Sequence, residues 1–194
     1  MCPDPDPSAR HRIDSFALVS YIPEPLAGFL NRLRQELVPN CFLRAHVTIL
    51  PPRPCSTSAQ AATEEVCSAV RAFHPFDVTL HAVEVFSVSD VIFISIAGGD
   101  RQLRDMHETL NYGGLEVREA FPFHPHITLA QNLRPDEVDE LTRVARTRWA
   151  AFPHSRSFRV EALTFVQATR YKTWIDLAEC KLSEENIPTP SARR

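Results

Sequence analysis

The sequence is almost without lysine: 19 of its 21 basic residues are Arg, and only Lys172 and Lys181 are Lys. Against 24 Asp and Glu the 194 residues carry a formal net charge of −3. That balance excludes a broad polycationic grip on a long DNA duplex, which would depend on neutralising many phosphates. It leaves room for a small anion in a local pocket. The Arg excess suits bidentate phosphate contacts, but in an Ala- and Pro-rich background GC-rich coding is its simpler source. Cysteine has no pattern either. Cys2, Cys41, Cys55, Cys67 and Cys180 form no Cys-x-x-Cys pair, so neither a disulfide framework nor a zinc ribbon is indicated. The opening MCPDPDPSARHR lacks the apolar core of a signal peptide, and no run approaches the ~20 apolar residues of a membrane span. A cytoplasmic location is the expectation.

What is present is an ordinary globular composition, 44% apolar and 23% charged. Residues 1–13 and 183–194 are rich in Pro, Ser and charge and read as disordered tails. Residues 14–182 read as one domain. Phe16 to Ile22 is a strand; Leu26, Phe29, Leu30, Leu33 and Leu37 then follow Pro25 at helical spacing. Phe42 to Leu50 is a strand, closed by Pro51 and Pro52. A helix capped by Ser56 or Ser58 runs to about Phe73, and strands follow over Phe76–Phe86 and Val91–Ala97. Asp100 is the expected N-cap of a helix that Gly113 and Gly114 stop. Phe123–Ala130 is a strand, Pro135 to about Ala150 a helix, and Phe158–Gln167 and Trp174–Ala178 the last strands.

The order β-α-β-α-β therefore occurs twice, with one strand added. Phe76 and Phe158 each open a strand as Phe-x-Val, 30 and 32 residues after a histidine. A repeat unit of about 80 residues predicts a bilobal α+β fold, two pseudo-twofold-related lobes with a cleft between them.

The chemistry lies inside the repeat. His46-Val47-Thr48-Ile49 and His126-Ile127-Thr128-Leu129 share the form His-x-Thr-x with aliphatic x. On a strand His and Thr point to one face while the x residues point into the layer behind. One such motif with aliphatic x positions is expected by chance at roughly 0.02 per chain of this composition, so two are informative. Two imidazoles across a cleft suit general acid–base chemistry, since a pKa near ~6.5 lets one take a proton while the other gives one. The Thr hydroxyls would hold non-bridging oxygens of a phosphate whose charge grows in the transition state.

Two His-x-Thr-x motifs about 80 residues apart, in a duplicated α+β chain, resemble the two-histidine (2H) phosphoesterase superfamily. RAHVTILPP and FHPHITLA are most similar to its bacterial 2′-5′ RNA ligase and 2′,3′-cyclic phosphodiesterase branch, over roughly residues 15–182. The resemblance implies hydrolysis of 2′,3′-cyclic phosphates without metal or other cofactor, with reversible 2′-5′ ligation in some members. It assigns His46 to protonate the departing ribose oxygen, His126 to activate water, and Thr48 and Thr128 to bind phosphate oxygens. Relatives in the branch often carry Arg shortly after the second motif, where this chain has Ala130-Gln131. A neutral amide attracts phosphate less than a guanidinium does, which weakens the case for ligation most.

Arg44 and His124, two before each motif histidine, would share the motif face of regular strands and add charge beside the phosphate. Phe86, Tyr171 and Trp174 lie near turns where a base could stack. Arg53, Arg170 and Lys172 are candidate loop cations. His124-x-His126 lacks acidic or Cys partners at ligand spacing, so no metal is expected. The expected ligand is an RNA 3′ terminus or a small nucleotide bearing a cyclic phosphate, bound by a monomer. Two rivals stand beside this: cleavage of a 2′-5′ linkage or of a nucleotide-sugar cyclic phosphate, and a non-catalytic RNA- or nucleotide-binding module.

Overall fold

The computed structural model describes residues 11–184. Eight strands and four helices follow in the order β1 (Arg12–Tyr21), α1 (Leu26–Leu37), β2 (His46–Arg53), α2 (Ala59–Val70), β3 (Phe76–Phe86), β4 (Val91–Gly98), α3 (Asp100–Leu110), β5 (His126–Ala130), α4 (Val138–Ala150), β6 (Ser157–Val160), β7 (Ala162–Thr169) and β8 (Trp174–Lys181). They form two four-stranded antiparallel sheets, ordered β2-β1-β7-β8 and β5-β4-β3-β6. The α+β class and the two-lobed architecture follow from this.

The lobes are not the two sequence halves. The passes β1-α1-β2-α2 and β4-α3-β5-α4 correspond, but each then sends its next central strand into the other sheet. β3 pairs with β4, and β7 pairs with β1. Phe76 and Phe158, which the spacing aligned with each other, lie in neighbouring strands of one sheet, with Phe76 opposite Val160. The extended run over 158–167 is continuous in sequence but changes sheet at Glu161. Local patterning sets where a strand is; pairing is decided by tertiary packing.

Several boundaries differ from expectation for identifiable reasons. β1 begins at Arg12, so residues 11–13 belong to the domain, and Ser183 is tied down by bonds to Phe73 O (2.9 Å) and Arg71 O (2.5 Å). The rest of the expected tails, 1–10 and 185–194, lies outside the described residues. β2 starts four residues later than expected and runs through Pro51 and Pro52 to Arg53. It is an edge strand whose register slips between Phe16 and Leu18, where a missing N–H breaks no central ladder. The α3 N-cap is Gly99, at φ 85°, where a Cβ would sit 2.8 Å from Asp77 O. Ser58 does cap α2, accepting from Ala61 N.

Cys67 on α2 and Cys180 on β8 form a disulfide 113 residues apart in sequence, contrary to the reading of the cysteines as unpaired. No spacing signature marks such a pair; only the packing of α2 on β8 brings the two sulfurs together. Among the described residues no helix is long and apolar enough to cross a membrane.

The main core lies between sheets and helices. Val47, Ile49, Ile127 and Leu129, the x residues of both motifs, are fully buried there. A smaller cluster of Ala17, Val19 and Val166, with Tyr21 and Trp174 against it, forms on the opposite face of the first sheet.

Candidate active site

β2 and β5 are edge strands that approach each other between the lobes, and the register sets their cleft faces in matching ways. His46 lies opposite Tyr21 and Thr48 opposite Val19; His126 lies opposite Ser95 and Thr128 opposite Phe93. All four motif side chains line one cavity of about 760 Å³. Its walls include Leu43, Pro51, Phe86, Trp174 and Gln131, with the β3–β4 turn at Ser87–Ser89 and the segment 117–124 completing them.

Both imidazoles are fixed from behind. Nδ1 of His46 lies 2.6 Å from Arg44 O, and Nδ1 of His126 lies 2.6 Å from His124 O. A carbonyl oxygen only accepts, so Nδ1–H is the donor in each ring and Nε2 remains the free nitrogen. Trp174 packs against His46 at 4.7 Å between centroids, and Phe86 and Phe93 meet His126 edge-on at 5.0 and 5.4 Å. Burial among these rings pushes the His46 pKa down to about 4, and the charge of Arg34 and the neighbouring His126 act in the same direction. Burial also lowers the His126 pKa, with His124 adding to it. The Thr48 and Thr128 hydroxyls make no hydrogen bond among the described residues.

Of the other expected site residues, Phe86 and His124 line the cavity, as does Trp174. His124 and Arg44 both precede their strands and so escape the alternation assumed for them. Arg44 points elsewhere: it pairs with Asp176 and lies 3.5 Å over the Tyr21 ring, in a separate depression beside the cleft. Asp176 also accepts from Tyr21 Oη at 2.7 Å; burial, then that bond, pushes the phenol up to about 12. Tyr171 does not reach the cavity; it is exposed in the β7–β8 turn against His11. Arg170 and Lys172 share that turn and also stay clear.

Arg53 reaches the wall but is only 4% exposed, and its donors are committed. It bonds Pro51 O (2.9 Å), Asn111 Oδ1 (2.6 Å), Leu115 O (3.2 Å) and the Glu119 carboxylate. Glu119 also faces His107 Nε2 at 3.6 Å, while His107 Nδ1 bonds Ile49 O at 2.7 Å and its ring stacks on Phe123 at 3.9 Å. Arg53 and His107 thus anchor the segment after α3 as one cleft wall.

Sequence reasoning missed Arg34, which lines the cavity from α1. Its signal was available: position 34 is four past Leu30 on the apolar stripe, where a charged residue is rare.

An interlobe cleft with one His-x-Thr pair on each side matches the arrangement expected of a two-histidine phosphoesterase. The chain belongs to the 2′-5′ RNA ligase superfamily, whose model matches residues 22–172. It is 28% identical over 114 residues to a protein of Oceanobacillus iheyensis provisionally named a phosphoesterase. That match spans 57% of this chain and 66% of the relative, slightly less than two thirds of the latter. Among solved structures, E. coli LigT complexed with 3′-AMP superposes with a TM-score of 0.59 at 15% identity, covering 89% of this chain and 98% of that one. Kluyveromyces marxianus Usb1 gives 0.55 at 13% identity, covering 84% and 97%. At these identities the structures attest the fold.

Proposed function

We propose that the cleft hydrolyses a 2′,3′-cyclic phosphate at an RNA 3′ end or on a small nucleotide, with His46 and His126 as the acid–base pair. The observation that carries this is the convergence of both His/Thr pairs on one cavity, each imidazole presenting its Nε2. One ring takes a proton from the water that attacks phosphorus, and the other gives a proton to the departing ribose oxygen. The proton count closes without a further group. Thr48 and Thr128 hold the non-bridging oxygens as their charge rises. The cavity volume lies within the usual range for small-ligand sites. The LigT complex with 3′-AMP supports a ribose phosphate as ligand.

The resemblance gives His46 the acid role and His126 the base role. Burial and Arg34 disfavour a proton on His46, so in the acid role that proton needs the negative charge of the substrate's phosphate. The imidazole whose pKa rises further on phosphate binding carries the acid role.

The test is turnover of 2′,3′-cyclic nucleotides by purified protein in excess EDTA. Activity that persists in EDTA and falls ~10²-fold or more in both His46→Ala and His126→Ala is expected. Tight nucleotide binding with no turnover of any cyclic phosphate or 2′-5′ linkage would instead favour the binding module.

A further inference from the structure

Arg34 is a buried cation with no carboxylate counterion among the described residues; the ionisable side chain that acts on it is the Cys41 thiol. It is 5% exposed, on the face of α1 that carries Leu30, Leu33 and Leu37. Its Nη1 donates to Leu43 O at 2.7 Å; its Nε is buried without a partner, and it pairs with no acid among the described residues. A guanidinium keeps its charge in proteins, and an unpaired buried charge is costly enough to call for a compensating anion. The other cations of the cavity differ. Arg53 is neutralised by Glu119, and Arg118 and His124 are exposed at the rim. Arg34 alone among the lining residues offers a desolvated guanidinium with free N–H groups, on the His46 side of the cleft.

We propose that Arg34 is the phosphate-binding cation of the cleft, its unpaired N–H groups taking non-bridging oxygens of the substrate's phosphate. A planar fork of donors matches a phosphate's oxygens two at a time. The bound anion supplies the counterion that Arg34 lacks and offsets its repulsion of a proton on His46. The arrangement serves binding and catalysis together. The identification of the anion as substrate phosphate rests on the phosphodiesterase reading; the binding itself is measured without turnover.

Inorganic phosphate is titrated into the 15N-labelled full chain while the Arg34 Nε–H resonance, assigned by its loss in Arg34→Lys, is followed. A saturating shift of that resonance is expected. In calorimetry, Arg34→Met binds phosphate at least about tenfold more weakly, and Arg34→Lys, which keeps the charge and loses the fork, binds between the parent and Arg34→Met. Thermal stability of Arg34→Met does not fall, since an apolar chain replaces an unpaired charge; a purely structural Arg34 would give the opposite, a lower melting temperature with unchanged affinity. A folded Arg34→Met with parental affinity overturns the proposal. So does a stationary Arg34 resonance at phosphate saturation, a readout that needs no variant to fold beyond the assignment. Hydrolysis of 2′,3′-cyclic AMP is measured in parallel. Phosphate binding through Arg34 without turnover refutes the catalytic reading alone, and turnover with Arg34-independent phosphate binding refutes this inference alone.

Discussion

His46 and His126 are held by the same bond, each ring Nδ1–H donating at 2.6 Å to the main-chain carbonyl two residues upstream. Equal tethers make the free nitrogen Nε2 in both, so any difference between the rings comes from their surroundings. His46 sits beside Trp174 and within the field of Arg34; His126 sits among Phe86, Phe93 and His124.

The first prediction is a titration order. His46, pushed down to about 4, protonates at lower pH than His126, itself lowered, in an NMR titration of the imidazoles. The sign for stability follows. The unfolded rings bind protons near pH ~6.5 and the folded ones only below that. Stability is therefore complete above about pH 6.5 and falls as the pH drops toward 4. The melting temperature should decline across that window, and less steeply in His46→Gln. A His46 that titrates above His126 in the free protein would contradict this.

Thr48→Val and Thr128→Val separate catalysis from folding. Each keeps the shape and loses a hydroxyl that has no hydrogen-bond partner among the described residues, so the melting temperature should change by only a few degrees. Turnover of a 2′,3′-cyclic nucleotide should fall ~10- to 100-fold per substitution, by analogy with loss of one donor to a developing oxyanion. Unchanged kcat in either variant would remove that threonine from the site.

The Glu119 carboxylate is expected to hold a cleft wall through Arg53. Glu119→Ala leaves a nearly inaccessible guanidinium without its counterion, a change worth about 3 kcal/mol. For a domain of this size that corresponds to roughly 6–12 °C in melting temperature. Hydrogen exchange should accelerate over residues 116–125 before it does in β2. Glu119→Gln, which keeps an acceptor for Arg53, should lose less.

Some of this was legible in the sequence, because it is local. β3 occupies Phe76–Phe86 as read, since its residues alternate between core and solvent, and of the two caps read for α2, Ser56 or Ser58, it is Ser58 that caps it. The motif pair was legible for the same reason: strand alternation alone places His and Thr on one face. What escaped depends on distant partners. Arg44 was expected beside the phosphate, but Asp176, 132 residues away, holds it outside the cleft. Arg53 looked like a loop cation until Glu119 and Asn111 closed around it. The exchange of β3 and β7 between lobes follows from pairing energies that no single strand encodes. Arg34 is different: its conflict with the apolar stripe of α1 was local, and such conflicts concentrate at functional sites.

The disulfide gives the last prediction. Cys67–Cys180 ties α2 to β8, the strand that carries Trp174 and Asp176 beside the His46 side of the cleft. In oxidised protein under denaturing, non-reducing conditions, Cys41 and Cys55 should react with a thiol reagent while Cys67 and Cys180 do not, as read by peptide mapping. A crosslink closing a loop of 113 residues restricts the unfolded chain, and its loss costs about 2–5 kcal/mol. Paired Cys67→Ala and Cys180→Ala variants should therefore melt several degrees lower, by an amount that added reductant reproduces in the parent and does not increase in the variant. Because the bond lies behind β8 and outside the cavity lining, phosphate affinity at 25 °C should stay within about twofold while the protein remains folded. Labelling of Cys67 and Cys180 in non-reduced protein would refute the crosslink. A large loss of phosphate affinity on reduction of folded protein would instead show that β8 transmits its state to the His46 wall.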